Sequence, residues 1–532
     1  MLSDLGVQKG DRVLFYMPMV PQANVAVMAT ARLGAVHSVV FGGFAPKELA
    51  NRIKDADPKV IVTATCGLEP NKVIPYIPNV KAALKEVNME HVKTVVLQRP
   101  DVFQEKDIPA NGCYFDYDEQ MEGISQGHDV VPVESTHPLY ILYTSGTTGT
   151  PKGVFRSHGG SLVSYNFQMK HIFNIHRGDV MFASSDIGWI VGHNFIIYGP
   201  NVRGGTSIIY EGKPVGTPDP GAMWRLCDEY HIKSVFTAPT ALRAVKREDI
   251  EGSYLQKYNL SALDGIHIAG ERMDPDTFQW LIDIAPSHTL INDTWWQTET
   301  NMPITGNFAN LRRFPMVPGS AGKPVPGWNV KIVGENNEEL EEPVQIGKVC
   351  IKYPTPPGFM DGLWGNPEAY VEKYHTETPG YYTTGDAGYI DEYGYVHIMT
   401  RLDDVINTAG HRLSTGRIEE VVNNHKSVAE SAVIGKADEI KGDVPFAFVI
   451  LYKGVDAEKV KKEIATKVRE EVGAIAKLEG VLIVERLPKT RSGKILRNVL
   501  RDLSNGKEPK IPATIEDIDV VQEVREGLDL SG

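Results

Sequence analysis

The chain has 532 residues, more than one small core would use, and its 42% apolar and 23% charged residues are the balance of a soluble globular protein of more than one domain. A formal net charge of -13 excludes nucleic acid and anionic membrane as main partners, because both would be repelled at long range. Four scattered cysteines, Cys66, Cys113, Cys227 and Cys350, exclude a disulfide framework and a paired-cysteine metal site, and read as buried thiols in a reducing compartment. No apolar run reaches the roughly 18 residues of a membrane helix.

In chain order, Asp11 to Met17 predicts a strand, Gln22 to Leu33 an alanine-rich helix and His37 to Phe41 a second strand. Pro46 suits a first helical turn, Leu49 and Ile53 share a face behind it, and Lys59 to Thr65 gives a third strand. This βαβαβ order predicts a largely parallel sheet covered by helices, with ligands at the carboxyl ends of its strands. A later strand, Tyr140 to Tyr143, leads into YTSGTTGTPKG at residues 143 to 153. Thr144, Ser145, Thr147 and Thr148 offer donors, Gly146 and Gly149 let the backbone approach an anion, and Lys152 adds charge, so the loop reads as a phosphate cradle. It lacks the GxxxxGK[ST] spacing of a Walker loop, since Lys152 is followed by Gly153.

Residues Thr294 to Thr300 read TWWQTET. Adjacent tryptophans suit a core, but Glu299 among threonines also suits a magnesium nucleotide, which wants carboxylate and phosphate oxygens. Gly385-Asp386 and Arg401 read either as a turn and a solvated corner or as an acceptor for ribose hydroxyls braced by an arginine. The texture changes at Arg401-Leu402-Asp403-Asp404, after which strands are expected at 431–434, 446–452 and 481–484. Val460, Ile464, Val468 and Val472 recur every four residues before Gly473, which predicts an amphipathic helix over 457–472. The expected division is an α/β domain at 1–402 and a smaller α+β domain at 403–532. Near the end, PKTRSGK, Pro488 to Lys494, is either a solvated basic loop or, with Gly493 freeing the backbone, a lysine that reaches into a cleft.

These motifs together resemble the adenylate-forming superfamily of acyl-CoA synthetases, luciferases and peptide-synthetase adenylation domains. FGGFAPKELANRI, SSDIGWIVGHNFIIYGP, RLDDVINTAGHRLSTGRIEE and LPKTRSGKILR narrow the resemblance to short-chain acyl-CoA synthetases over essentially the whole chain. The resemblance implies layered, largely parallel sheets in the N-terminal domain and a mobile C-terminal domain that swings on Asp403. It implies ATP, Mg2+ and coenzyme A as cofactors and co-substrates. Nucleotide positions are then Thr144, Ser145, Gly146, Thr147, Thr148, Lys152, Gly270, Glu271, Arg272, Asp293, Thr294, Trp295, Trp296, Gln297, Thr298, Asp386, Arg401 and Arg412, with Glu299 on the metal. Lys494 would bridge the carboxylate and the α-phosphate. Coenzyme A would meet Phe41, Gly42, Gly43, Ala409, Gly410, Arg412 and Arg469, with Lys72 and Glu69 at positions where the family has two arginines for the 3'-phosphate.

The acyl pocket of the resemblance falls on Ile190, Val191, Ala269 and Trp296. Acetyl-CoA synthetases carry valine, threonine and valine at the first three, so Ala269 leaves room for one more methylene, while Ile190 narrows it. The expectation is propionate, with an acetate-preferring synthetase, or a truncated homologue that only binds nucleotide, as the alternatives. The family carries a further N-terminal segment before Asp11, so a targeting peptide could precede this chain; the expected compartment is cytoplasmic, or mitochondrial with such a segment. A monomer or small homo-oligomer is expected. Acylation of Lys494 would remove its charge and switch the first step off, with a lysine deacylase as the implied partner.

Overall fold

Two apolar runs near the N-terminus, Arg12–Tyr16 and Val60–Ala64, are buried along almost their whole length, as strands covered on both faces must be. The helices between strands provide the cover. Pro21–Arg32 and Pro46–Ala56 each begin with proline, and the second buries Leu49 and Ile53. The computed structural model describes residues 1–531 except 70–71, 106–107, 125–126, 145–151, 214, 409–410, 491–492 and 513, and no side chain at 411, 412, 530 or 531. Arg12–Tyr16 pairs parallel with Val36–Val39 and with Val60–Ala64, which sets Val13 between His37 and Val60. These strands are the centre of an eight-stranded sheet whose edges are Tyr114–Asp116 and Gly362–Leu363. Its pairing turns antiparallel where Pro138–Thr144 meets Lys152–Ser157.

A second sheet has five strands, all parallel, in the order Thr206–Ile208, Val180–Ala183, Ser234–Thr237, Gly265–Ile268, Leu290–Asp293. Helices Ala222–Glu229, Pro239–Glu248 and Pro275–Ile284 bury Trp224, Leu242 and Phe278 against it. A third sheet departs from the expected parallel pattern. Val330–Val333, Gly347–Lys352, Tyr381–Ile390 and Val396–Arg401 form an antiparallel sheet, because neighbours joined by a tight turn such as Asp391–Tyr395 need no crossover helix.

Arg401 ends that sheet, Leu402–Asp404 forms a single 3-10 turn, and Ile406 opens the next sheet. There Gly442–Leu451 alternates between two cores. Phe446 and Phe448 face Arg497–Ser504 and Asp519–Ser531, while Ala447 and Val449 face Thr415–Asn423 and Ala457–Glu471. The predicted Val460, Ile464 and Val468 stripe is buried on the last of these helices. All four cysteines are free; Cys66, Cys227 and Cys350 are buried, but Cys113 sits half-exposed before an edge strand, against the expectation of four buried thiols. Among the described residues no helix is long and apolar enough to cross a membrane.

Candidate active site

The carboxyl ends of the five-stranded parallel sheet open on a cavity of about 850 Å³, a volume suited to a small-molecule ligand. Val180–Ala183 leads to Ile190 and Val191, Gly265–Ile268 to Ala269, Gly270, Glu271 and Arg272, and Leu290–Asp293 to the TWWQTE segment. The antiparallel sheet supplies a second wall with Asp386 and Arg401, and residues beyond 403 close the cavity with Glu419, Glu420, Lys494 and Arg497.

Asp386 and Arg401 are cross-strand partners, and the arginine Nη1 donates to Asp386 Oδ1 at 3.1 Å. Gly385, just before Asp386, takes φ of +74°, and a Cβ there would lie 2.6 Å from the Arg401 guanidinium, so glycine suits the position. Gln297 Nε2 and Trp295 Nε1 donate to Asp386 Oδ2 at 2.8 and 3.3 Å, and Tyr382 Oη donates to Gln297 Oε1 at 2.6 Å. Two oxygens offer about four acceptor positions. Among the described residues one acceptor position on Oδ1 is left open. Burial raises the Asp386 pKa, and Arg401 and then Lys494 oppose the rise.

Glu299 accepts from Tyr374 Oη at 2.9 Å. Thr144 and Lys152 face each other across the strand pair, while Ser145, Gly146, Thr147 and Thr148 lie outside the described residues. Thr144 lines the cavity, and so does Lys373, which sequence reasoning missed. Burial, then the like charge of Lys152, pushes the Lys373 pKa down to about 8, with Glu299 pulling upward. Among the described residues no group of three histidine, cysteine or carboxylate side chains could hold a metal by itself. Glu299, a single carboxylate on the cavity wall, is of the chemistry that magnesium takes beside phosphate oxygens.

Lys494 sits in a tight turn in which Thr490 N–H donates to the Lys494 carbonyl at 2.8 Å and Gly493 N–H to the Thr490 carbonyl at 2.8 Å. Gly493 takes φ of +87°, with a Cβ position 3.0 Å from Thr240 at the start of Pro239–Glu248, so the turn is seated on the large domain's helix. The lysine is exposed to the cavity it lines, with protein walls around it. That enclosure, followed by Arg401, lowers its pKa, and Asp386 pulls it up. Arg272 binds the C-terminal part to the rest, donating to the Gly416 carbonyl at 3.1 Å and to Glu420 at 2.9 Å. Glu271 instead accepts from Arg243 at 2.7 Å, and Asp293 is a buried carboxyl whose pKa burial raises well above the ordinary range.

Ile190, Val191, Ala269 and Trp296 all line the cavity. The Trp296 ring meets Phe195 and Phe236 edge-on at 5.9 and 6.1 Å between centroids, which fixes it as a wall. Phe41, Gly42, Gly43, Lys72 and Arg469 do not line this cavity. Phe41 packs on Trp189, Gly42 touches Tyr76, and Arg469 is exposed on Ala457–Glu471. Glu69, opposite Lys72 in a hairpin, is neutralised by Lys213 at 3.1 Å. Ala409 and Gly410 lie outside the described residues, as does the side chain of Arg412. Asp403 forms a long 3.7 Å pair with Arg401, and its carbonyl accepts from Arg501 at 2.7 Å.

A cavity lined by the buried Asp386, by Glu299 and by Lys494 agrees with the family models that match the chain. Residues 1–364 match the AMP-binding enzyme model and residues 417–494 its C-terminal domain, and the chain belongs to the AMP-binding enzymes, the adenylate-forming superfamily. It is 47% identical to acyl-CoA synthetase short-chain family member 3, mitochondrial, of Homo sapiens, over 98% of this chain and 76% of that protein. It is 38% identical to acetyl-coenzyme A synthetase of Pyrobaculum aerophilum, over 98% of this chain and 78% of that one. Among solved structures, acetoacetyl-CoA synthetase from Streptomyces lividans superposes with a TM-score of 0.86 at 25% identity, covering 100% of this chain and 80% of that one. Within the AMP-binding enzymes it is thus one of the short-chain acyl-CoA synthetases.

Proposed function

We propose that the chain ligates propionate to coenzyme A through a propionyl-adenylate, with release of pyrophosphate and then AMP. As an AMP-forming acid-thiol ligase it would act on ATP, a short-chain carboxylate and coenzyme A. The observation that carries the adenylation step is Lys494 in one cavity with Asp386, Arg401 and Glu299. A carboxylate is already ionised near neutral pH, so no general base is required. The obstacle is attack of one anion on another, and a fixed ammonium offsets the charge that gathers between them. Asp386 would accept a ribose hydroxyl, with Arg401 holding it in place. Magnesium bound at Glu299 would neutralise phosphate charge.

Propionate is the reading favoured by Ala269, which lines the cavity with Ile190 and Trp296 and is two carbons smaller than a valine there would be. An acetate preference is the second reading; it is favoured by the bulk of Ile190 and by similarity to a protein named acetyl-coenzyme A synthetase. The thioester step would follow rotation of residues 403–532 about Asp403. That reading is supported by the single turn at Leu402–Asp404 and by Phe41, Gly42, Gly43, Lys72 and Arg469, which do not line the cavity in this arrangement. The test is pyrophosphate release over a panel of C2 to C4 carboxylates with MgATP. The highest kcat/KM is expected for propionate; acetate preferred by roughly tenfold, within the range such pockets discriminate, would favour the second reading, and no release with any acid would favour a nucleotide-binding homologue without turnover.

A further inference from the structure

We propose that Lys373, at the end of helix Pro367–His375, is a second phosphate-binding cation of the site, holding the β- and γ-phosphates of ATP and the pyrophosphate that leaves. The inference rests on the adenylate-forming reading above and adds a residue to it. Apart from Lys494, the seven other cations lining the cavity already have carboxylates: Arg401 has Asp386, Arg272 has Glu420, Arg243 has Glu271 and Asp274, Arg497 has Glu419, Lys489 has Glu430, Lys246 has Asp276 and Arg247 has Glu248. Lys373 and Lys152 form no ion pair among the described residues, and the Lys152 charge bears on the Lys373 ammonium at the cavity wall. Two like charges side by side are unfavourable unless an anion joins them, and a phosphate oxygen set is the anion that fits beside Glu299.

The placement favours Lys373 as the one that meets the ligand. Lys373 lines the cavity and Lys152 does not. The Lys373 ammonium lies 4.8 Å from the centre of the Tyr374 ring, and the Tyr374 hydroxyl donates to Glu299 at 2.9 Å, so the metal carboxylate, the ring and the cation form one wall. Thr144, at the start of the phosphate loop, lines the same cavity. A nucleotide whose ribose is at Asp386 would then extend its outer phosphates toward Thr144, Glu299 and Lys373.

The test is calorimetric titration of the full chain with pyrophosphate and, separately, with AMP and inorganic phosphate, in the presence of Mg2+, for wild type, Lys373→Met and Lys373→Arg. Methionine keeps the stem over Tyr374 and removes the charge. Lys373→Met is expected to weaken pyrophosphate roughly 10- to 100-fold, the scale of one hydrogen bond to a charged group, and to leave AMP unchanged. Lys373→Arg should restore most of the loss, and the thioester step from supplied propionyl-adenylate should keep its rate. Unchanged pyrophosphate affinity in Lys373→Met overturns the role, as does parallel loss of AMP and pyrophosphate, which would mark a structural effect. Inorganic phosphate bound as tightly as pyrophosphate would mean a general anion site and also overturn it. A wild type that binds neither AMP nor pyrophosphate would instead defeat the adenylate-forming reading.

Discussion

Ala269→Val probes the acyl wall directly. Ala269 is 6% exposed, ends the strand that brings it to the cavity, and faces a site bounded by Ile190, Val191 and the Trp296 ring that Phe195 and Phe236 hold. Valine adds two carbons where the terminal methyl of propionate would lie. Losing burial of that one carbon costs about 0.8 kcal/mol. Crowding a packed site typically costs about 1 to 3 kcal/mol. A combined penalty of about 2 to 4 kcal/mol corresponds to a roughly 30- to 900-fold fall in kcat/KM for propionate. Acetate, which does not reach the added carbons, should change little. The assay is steady-state pyrophosphate release with each acid on the two proteins. Equal losses for both acids would indicate general damage, and an unchanged acetate to propionate ratio would refute the pocket argument.

Lys494→Ala is expected to block adenylation by about 2.7 to 4 kcal/mol, the cost of removing one preorganised donor, while propionyl-adenylate supplied with coenzyme A still yields thioester; equal loss of both half-reactions would refute the assignment. Gly385→Ala places a Cβ 2.6 Å from the Arg401 guanidinium at φ of +74°, at a backbone cost of about 1 to 2 kcal/mol. It should raise the KM for ATP more than it lowers the thermal midpoint, and a wild-type KM would contradict the Asp386–Arg401 role. Burial pushes His193 and His267 down to about 4 and about 3. Between those values and the unfolded value of about 6.5, the unfolded chain binds more protons, so stability falls on acidification by roughly 1.4 kcal/mol per pH unit for each histidine. Asp186, raised to about 6 by burial, works in the opposite direction below that pH. His267→Asn should flatten the dependence of unfolding free energy on pH, measured by urea titration from pH 7 to about 4.5, by about one proton; an unchanged slope would contradict it.

The first sheet was legible because each element carries its own period. Leu49 and Ile53 lie four apart on a helix that starts with proline, and Val60–Ala64 is an unbroken apolar run. The antiparallel sheet from Val330 to Arg401 was not, since its strands are broken by polar turns and one long irregular stretch, and pairing direction is set by connections rather than by local pattern. In the site, Asp386, Arg401, Glu299 and Lys494 were suggested by local motifs, but their convergence depends on contacts between segments about a hundred residues apart, such as Gln297 with Asp386. Ala269 and Ile190 have no local chemical signature at all and were reached through resemblance. Lys373 had none either. It stands in a charged helical segment, and its meaning comes from Lys152 on a distant strand. The Arg272–Glu420 bridge likewise joins residues whose partnership no spacing could announce.

The acyl-adenylate route is tested most directly by a single turnover of the wild-type chain with propionate and MgATP in the absence of coenzyme A. The account predicts pyrophosphate together with an equal amount of protein-bound propionyl-adenylate, which discharges to propionyl-CoA and AMP when coenzyme A is added. Formation of ADP and phosphate, or thioester without a preceding adenylate, would contradict it.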